Sequence, residues 1–288
     1  MLKEKKNRPF KICQLSDLHL GSYPFNKDDQ KTLFDIKRMF EKNQFDLIMV
    51  TGDIIWGKDI EHPDKTFFEF YNVLNSTKIP VAITYGNHDS EGNFTRSEIR
   101  KFEKYIEFPA EKNDRFIFQD RENYVLKVYD EKKGNIVHLI FVWDSGAYQK
   151  EERFGFYSVI EPEQTDWFNT IESELTDGKK PRVDIGFTHI PIPEYRQAKI
   201  ISGECGEEIC SPEINSGLFY RLVKYRNFKA LFAGHDHDNN FASNFKGIDL
   251  IYANVSGYNT YGRIPRGYKE INLFDDKVMT KNVHFASL

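Results

Sequence analysis

Cysteine is scarce, with only Cys13, Cys205 and Cys210 in a chain of 288 residues, which excludes a disulfide framework. Long apolar runs are also missing. None approaches the ~18 uninterrupted residues of a membrane-spanning helix, so no membrane association is expected. The basic run Met1–Arg8 leads into a strand-like stretch and not into the apolar core of a signal peptide, so a cytoplasmic protein with a flexible segment 1–8 is expected. There is no surplus of positive charge: 40 Lys and Arg against 44 Asp and Glu leave −4, which argues against a nucleic-acid partner. Repeats, low-complexity tracts and linkers are absent, so residues 1–288 read as one domain. What the chain does have is 40% hydrophobic and 15% aromatic residues, enough apolar surface to fold without covalent staples.

Short apolar runs alternate with amphipathic stretches. The runs Phe10–Leu15, Asp46–Val50, Val81–Tyr85, Val137–Trp143, Val183–Phe187, Ala230–Ala233 and Leu250–Ala253 are largely continuous, as in strands buried on both faces. Between them Leu33, Ile36 and Phe40 share one helical face, as do Phe67, Phe70, Tyr71 and Leu74. Thr95-Arg96-Ser97-Glu98 forms a capping-box pattern ahead of Ile99, Phe102 and Ile106, and Pro162 suits the first turn of a helix carrying Phe168, Ile171 and Leu175. Leu218, Phe219, Leu222 and Val223 mark a further helix. Tyr124–Tyr129 with Ile136–Val142, around Lys133-Gly134-Asn135, and Tyr268–Phe274 with Lys277–His284 read as hairpins. An α/β protein of layered sheets covered by helices is the expected class. The 27 residues from Ile190 to Ser216 show no helix or strand pattern, and a loop of that length inside a domain is ordinarily functional.

Polar residues collect where the apolar runs end. Leu15 is followed by Ser16-Asp17-Leu18-His19, Val50 by Thr51-Gly52-Asp53, and Tyr85 by Gly86-Asn87-His88-Asp89. Phe187 is followed by Thr188-His189, and Ala233 by Gly234-His235-Asp236-His237. Ligands of α/β sheets gather at the carboxyl ends of strands. Carboxylates and imidazoles delivered there from five strands suit a pair of divalent cations, which can clamp a phosphoryl group and lower the pKa of a water. Spacing Asp-x-His and His-x-His points side chains the same way if the segment is extended. Taken singly, Gly-Asp is an ordinary turn and Asn or Asp an ordinary cap. Five such endings in order make chance the poorer account.

Asp17-x-His19, Gly52-Asp53, Gly86-Asn87-His88-Asp89, His189 and Gly234-His235-x-His237 resemble the five-block signature of the calcineurin-like metallophosphoesterase superfamily, over residues 17 to 237. The resemblance implies a four-layer α/β/β/α sandwich of two mixed β-sheets flanked by helices. It implies a dinuclear site in which Asp17, His19 and His237 hold one metal, Asn87, His189 and His235 the other, and Asp53 bridges. His88 would contact the phosphoryl oxygens or protonate the leaving group, oriented by Asp89. Asp144-Ser145-Gly146, Cys210–Phe219 and Gly257–Gly267 resemble the small bacterial and fungal phosphoesterases related to purple acid phosphatases. Two positions depart from the purple enzymes: His19 stands where their first block ends in Gly, and Trp56 stands where they place a Tyr ligand. Trp cannot supply a phenolate, so the tyrosinate–iron colour is not expected and the pair is left among Fe, Mn and Zn.

The expected reaction is hydrolysis of a phosphate ester by in-line attack of a metal-bridging hydroxide, on a small-molecule monoester or diester. A nuclease using the same metals is the alternative, and a catalytically silent binding scaffold a third reading. Arg263 is a candidate to grip a phosphate bidentately. Tyr148, Tyr258 and Tyr261 are candidate substrate contacts, and Cys205 and Cys210 are read as free thiols.

Overall fold

Along the central strands, odd and even positions face different cores, and this parity sets the architecture. The computed structural model describes residues 1–58, 60–132, 134–175 and 182–288. The chain runs β1 (Leu2–Lys3), β2 (Phe10–Leu15), α1 (Lys27–Lys42), β3 (Leu47–Thr51), α2 (Pro63–Asn75), β4 (Val81–Thr84) and α3 (Arg96–Arg100). Then come β5 (Asn113–Phe118), β6 (Arg121–Tyr129), β7 (Ile136–Val142), α4 (Pro162–Leu175), β8 (Asp184–Phe187) and β9 (Lys199–Ser202). The last elements are α5 (Leu218–Lys224), β10 (Phe228–Ala233), β11 (Ala242–Phe245), β12 (Ile248–Tyr252), β13 (Gly267–Leu273) and β14 (Val278–His284).

One sheet has the order β14-β13-β2-β3-β4; the other runs β1-β6-β7-β8-β10-β12-β11-β9, with β5 also on β6. Both are mixed: β2, β3 and β4 are parallel, as are β7, β8, β10 and β12, while β13–β14 and β6–β7 are antiparallel hairpins. In β2, Phe10 and Ile12 enter the core between the sheets, whereas Cys13 and Leu15 meet α1 and α2 through Ile36, Met39, Phe67 and Phe70. In β7, Ile140 and Val142 enter the same central core, whereas Leu139 and Phe141 meet Trp167 and Phe168 of α4. Three cores in series therefore separate four layers, helices–sheet–sheet–helices, as the sequence resemblance implies. Each fully buried Phe, Leu or Ile contributes ~1.5–3 kcal/mol of apolar transfer, so the stack holds without covalent ties. All three cysteines are free, and no described helix is long and apolar enough to cross a membrane.

Several expectations need correction. Segment 1–8 is not a loose tail: Leu2 is buried, β1 lies parallel to β6, and Arg8 forms a bidentate pair with Asp46 at 2.6 Å to each oxygen. The stretch 190–216 is not without structure. It contains a 3₁₀ turn at Pro193–Gln197 and strand β9, whose four side chains are all exposed and so carry no apolar alternation; it pairs with β11 through backbone. The capping box at Thr95 forms, but α3 ends at Arg100 and a 3₁₀ turn follows, so Ile106 is buried outside any helix. The helix marked by Leu218, Phe219, Leu222 and Val223 does form, as α5, with Val223 40% exposed on its outer face. In the β6–β7 turn, Lys133 lies outside the described residues; Gly134 N–H donates to Asp130 Oδ1 at 2.9 Å.

One buried cation sits in the central core. Lys269 shares the inward parity of Ile271 and Leu273, is 2% exposed, and donates from Nζ to the Asn240 carbonyl at 3.0 Å. Among the described residues no carboxylate lies within salt-bridge distance to hold its charge, and burial alone pushes its ammonium down to about 7. Asn282 Nδ2 donates to the same carbonyl at 3.0 Å, so that oxygen stays satisfied without the lysine. Lys269→Met is therefore expected to stabilise the fold by about 1–3 kcal/mol at pH 7 or below, read from urea midpoints. The folded-state pKa lies below the unfolded one, so wild-type stability rises between pH 7 and about 10.5, where the unfolded chain binds more protons, and the gap to the variant narrows over that window. A variant less stable than wild type at pH 7 would show that the buried ammonium is compensated.

Candidate metal centre

Five loops leave the carboxyl ends of β2, β3, β4, β8 and β10 and meet where the two sheets adjoin. Backbone hydrogen bonds lace them together: Asp17 N–H to the Gly52 carbonyl at 3.1 Å, His19 N–H to Asp53 at 3.0 Å and Gly234 N–H to His189 at 2.9 Å. Two glycines permit the approach. A Cβ at Gly86 would lie 2.1 Å from Asp53 Oδ1, and one at Gly234 would lie 2.1 Å from Ser16 Oγ and 2.8 Å from Asp17 Oδ2. Both positions are closed to any larger residue.

Asp17, His19, Asp53 and His235 all have positive φ, at 55°, 48°, 48° and 81°. The first two loops are thus turned and not extended, and the Asp-x-His pair faces one centre through left-handed backbone, contrary to the alternation argument. His235 and His237 do not point the same way: His235 gathers with Asp53 and His189, and His237 with Asp17 and His19. Left-handed non-glycine residues cost ~1–3 kcal/mol each and collect at functional sites, so four of them in one cluster point to a shared task.

The structure brings the seven expected donors together. Asp17, His19 and His237 form one group and Asp53, His189 and His235 another, each with donor atoms within 4.8 Å of one another. His19 Nε2 lies 3.1 Å from His237 Nε2, and His237 Nε2 lies 3.6 Å from Asp17 Oδ1. Asp53 Oδ2 sits between the groups, 3.1 Å from His189 Nε2 and 3.6 Å from His19 Nε2, and is aligned for a hydrogen bond with neither. Asn87 Oδ1 lies 3.2 Å from His189 Nε2. The outer nitrogens are anchored: His189 Nδ1 is 2.8 Å from the Thr51 carbonyl and His237 Nδ1 is 3.0 Å from Thr260 Oγ1.

The electrostatics split the site. Burial pushes His19 and His235 down to about 3, so both are neutral, with bare lone pairs. Burial opposes ionisation of Asp17, but the adjacent His237 imidazole, 3.6 Å away, and the charge of His189 outweigh it and bring it to about 2. Burial likewise opposes ionisation of Asp53, and the neighbouring imidazoles, His189 first, hold it well below the carboxylate range. Burial would lower His189, yet the Asp53 carboxylate raises it to about 9. His235 Nε2 and Asp53 Oδ2 are buried without hydrogen-bond partners. Uncompensated buried donors and acceptors are costly, and a set of two carboxylates, one amide oxygen and four imidazoles suits Fe, Mn or Zn. The residues fit a pair of such cations.

Around this cluster the expectations fare unevenly. Asp89 does not orient His88. Its oxygens accept the N–H groups of Ile54 at 2.8 Å, Ile55 at 3.1 Å and Gly86 at 2.7 Å, bracing the Asp53 and Asn87 loops. Burial, reinforced by the Asp53 charge, raises it to about 6. The partner of His88 Nδ1 is Glu91 Oε2 at 2.6 Å, a residue missed in the sequence, although three residues on within one 3₁₀ turn was the spacing to look for. Arg96, also missed, is buried and donates to the Gly86 and Gly146 carbonyls at 2.6 and 2.9 Å, with Nε 3.3 Å from Asp144. Trp56 packs its ring 4.1 Å from His19 and donates its N–H to the Asn259 carbonyl, acting as a wall. Tyr261 stacks on His237 at 4.1 Å, and Tyr148 accepts from Asn87 Nδ2 at 2.9 Å. Tyr258 turns away, toward Asp35. Arg263 is not gathered with the seven: it is exposed, its guanidinium against Gly206 and its N–H on Asp238 at 2.6 Å.

A family model described as calcineurin-like phosphoesterase matches residues 10–239. Probable inactive purple acid phosphatase 14 of Arabidopsis thaliana is 29% identical over 292 residues, spanning 88% of this chain and 72% of the relative. Phosphatase DCR2 of Saccharomyces cerevisiae is 25% identical over 314 residues, 98% of this chain and 54% of that protein. Among solved structures, a dimetal phosphatase from Danio rerio superposes with a TM-score of 0.69 over 97% of both chains at 14% identity, a likeness of fold.

Proposed function

The chain belongs to the calcineurin-like phosphoesterase family, and on that premise we propose that it is a working metal-dependent hydrolase of small-molecule phosphate esters. The observation that carries this reading is that seven donors from five strand ends face one another, with no inert side chain at any of the seven positions. Asp17, His19 and His237 are assigned to one cation, Asn87, His189 and His235 to the other, and Asp53 Oδ2, which faces both groups, to the bridge. Two such cations supply Lewis acidity to the phosphoryl oxygens and lower the pKa of a water. Water's oxygen joins phosphorus and gives up a proton to solvent, the ester P–O bond breaks, and His88 delivers a proton to the departing oxygen and regains one from solvent. The Asp53 carboxylate fixes His88 from behind through its backbone N–H at 2.9 Å.

The surroundings favour a small ester over a nucleic acid. Carboxylates, Glu91 beside His88 and Glu207 on the Tyr261 hydroxyl, stand at the mouth where a polyanion would need a basic track. A cleft of about 1170 Å³ opens beside Tyr148, with Asn93, Phe94, Gln119, Lys150 and Phe154 on its walls, and offers room for the organic part of the ester. Arg263, on the rim, is assigned to a second anionic group of the substrate and not to the reacting phosphoryl. The word inactive in the name of the Arabidopsis relative motivates the competing reading, a scaffold that binds without turnover.

One experiment separates the readings. Protein of known metal content, loaded with Mn, Fe or Zn, is assayed on p-nitrophenyl phosphate and on bis(p-nitrophenyl) phosphate. Turnover of the monoester is expected. Hydrolysis of the diester alone would reassign the enzyme as a diesterase, and hydrolysis of neither by fully loaded protein would leave the scaffold.

A further inference from the structure

Glu91 makes two contacts, and together they reach both halves of the chemistry. Its Oε2 takes His88 Nδ1 at 2.6 Å, and its Oε1 accepts the hydroxyl of Tyr148. The Tyr148 oxygen in turn accepts Asn87 Nδ2 at 2.9 Å, and Asn87 Oδ1 lies 3.2 Å from His189 Nε2. We propose that Glu91 is a positioning residue that fixes the tautomer of His88 and, through Tyr148, the amide orientation of Asn87. The proposal deepens the phosphoesterase reading and rests on it for the role of His88.

The argument is a count of donors and acceptors. An ionised carboxylate only accepts, so both protons in its contacts come from the partners. His88 must therefore carry hydrogen on Nδ1, which leaves Nε2 as the edge that gives up or takes the exchangeable proton. Tyr148, having spent its hydrogen on Glu91, offers a lone pair, and only the NH₂ of Asn87 can fill it. The amide oxygen then has to point the other way, into the donor cluster. Asp89 cannot serve in this capacity because three backbone N–H groups occupy it. The chain is held at both ends: Glu91 follows directly on the 3₁₀ turn His88–Ser90, its own N–H on the His88 carbonyl at 3.2 Å. Tyr148 is packed against Phe156 and Tyr157, rings 5.1 and 5.9 Å away. A glutamine at 91 has one acceptor and one donor. If it accepts from His88, it must donate to Tyr148, whose hydroxyl then turns toward Asn87 and forces that amide to flip.

The test compares wild type, Glu91→Gln and Tyr148→Phe. In Mn-loaded protein, kcat is measured on p-nitrophenyl phosphate, whose leaving group departs without a proton, and on glycerol 2-phosphate, whose alkoxide needs one. Glu91→Gln is expected to lose about 10- to 100-fold more on the alkyl ester than on the aryl ester. Tyr148→Phe is expected to keep the wild-type ratio between the two esters, but to bind Mn several-fold more weakly in titrations of metal alone. In Zn-loaded protein, at a pH high enough to leave the ring neutral, ¹⁵N shifts should show His88 as the Nδ1–H tautomer alone in wild type and as a tautomer mixture in Glu91→Gln; the acid form carries the second, exchangeable proton on Nε2. Equal losses on both esters with an unchanged His88 spectrum, or an unchanged Mn affinity in Tyr148→Phe, would overturn the proposal. A wild type that hydrolyses neither ester would sink the reaction, while the ¹⁵N and Mn readouts would still judge the positioning.

Discussion

Asp53→Asn is expected to cut turnover by about 10³-fold or more, about 4 kcal/mol of barrier, and to leave the purified protein deficient in bound metal. Asparagine is nearly isosteric and can still accept the His88 N–H that Oδ1 takes at 2.9 Å. The loop geometry therefore survives, and what is lost is charge and one lone-pair-bearing oxygen. That oxygen, Oδ2, is the atom that faces both groups of donors. An amide NH₂ in its place would present hydrogens to His19 and His189, where a cation needs an acceptor. Two measurements decide the matter together, elemental analysis of metal per chain and kcat on p-nitrophenyl phosphate. Full metal content with near-wild-type kcat would remove Asp53 from the centre of the site and the bridging assignment with it.

How much of this was legible beforehand follows from which signals are local. The central strands announce themselves because burial on both faces leaves continuous apolar runs, and each run ends where the chain must turn at the sheet edge; that is why the donor positions Asp17, Asp53, Asn87, His189 and His235 are legible in the sequence. Conformation at those turns was not legible. Positive φ at Asp17 and His19 is imposed by pairing across the loops, Asp17 on Gly52 and His19 on Asp53, so no pattern within Ser16–His19 could report it. Strand β9 was invisible for a related reason: its side chains are exposed and its existence depends on backbone bonds to β11, over forty residues later in the chain. Leu2 sits in the central core only because β1 finds β6, far along the sequence. Glu91 and Tyr148 escaped notice as a unit because one lies in a turn and the other on a separate hairpin, and only the fold brings their oxygens together. The resemblance assigned Asp89 to His88, whereas the turn aims its carboxylate at backbone N–H groups instead.

The affinity of metal-free protein for Mn or Zn is expected to climb about tenfold per pH unit from pH 6 and to level off near pH 9. The slope comes from His189. Asp53 raises that imidazole to about 9, so at pH 7 it holds a proton that an incoming cation must displace. Asp17 at about 2, and His19 and His235 at about 3, are already bare and add no slope in this range. His189 therefore accounts for about one proton released on binding near neutrality, measurable by calorimetry in buffers of different ionisation enthalpy. Stability of the metal-free fold should move the opposite way. A histidine whose folded pKa lies above its unfolded value of 6.5 contributes stability in full below that pH, and the contribution is lost as pH rises toward 9. Metal-loaded protein has no proton at that nitrogen to lose, so its unfolding midpoint should stay level across the same window and the two curves should diverge as pH rises. Asp53→Asn removes the carboxylate that holds the proton and should flatten both the affinity slope and the stability loss. An affinity independent of pH between 6 and 8.5 in wild type would mean that His189 is already neutral, and that the buried Asp53–His189 pair does not order the empty site.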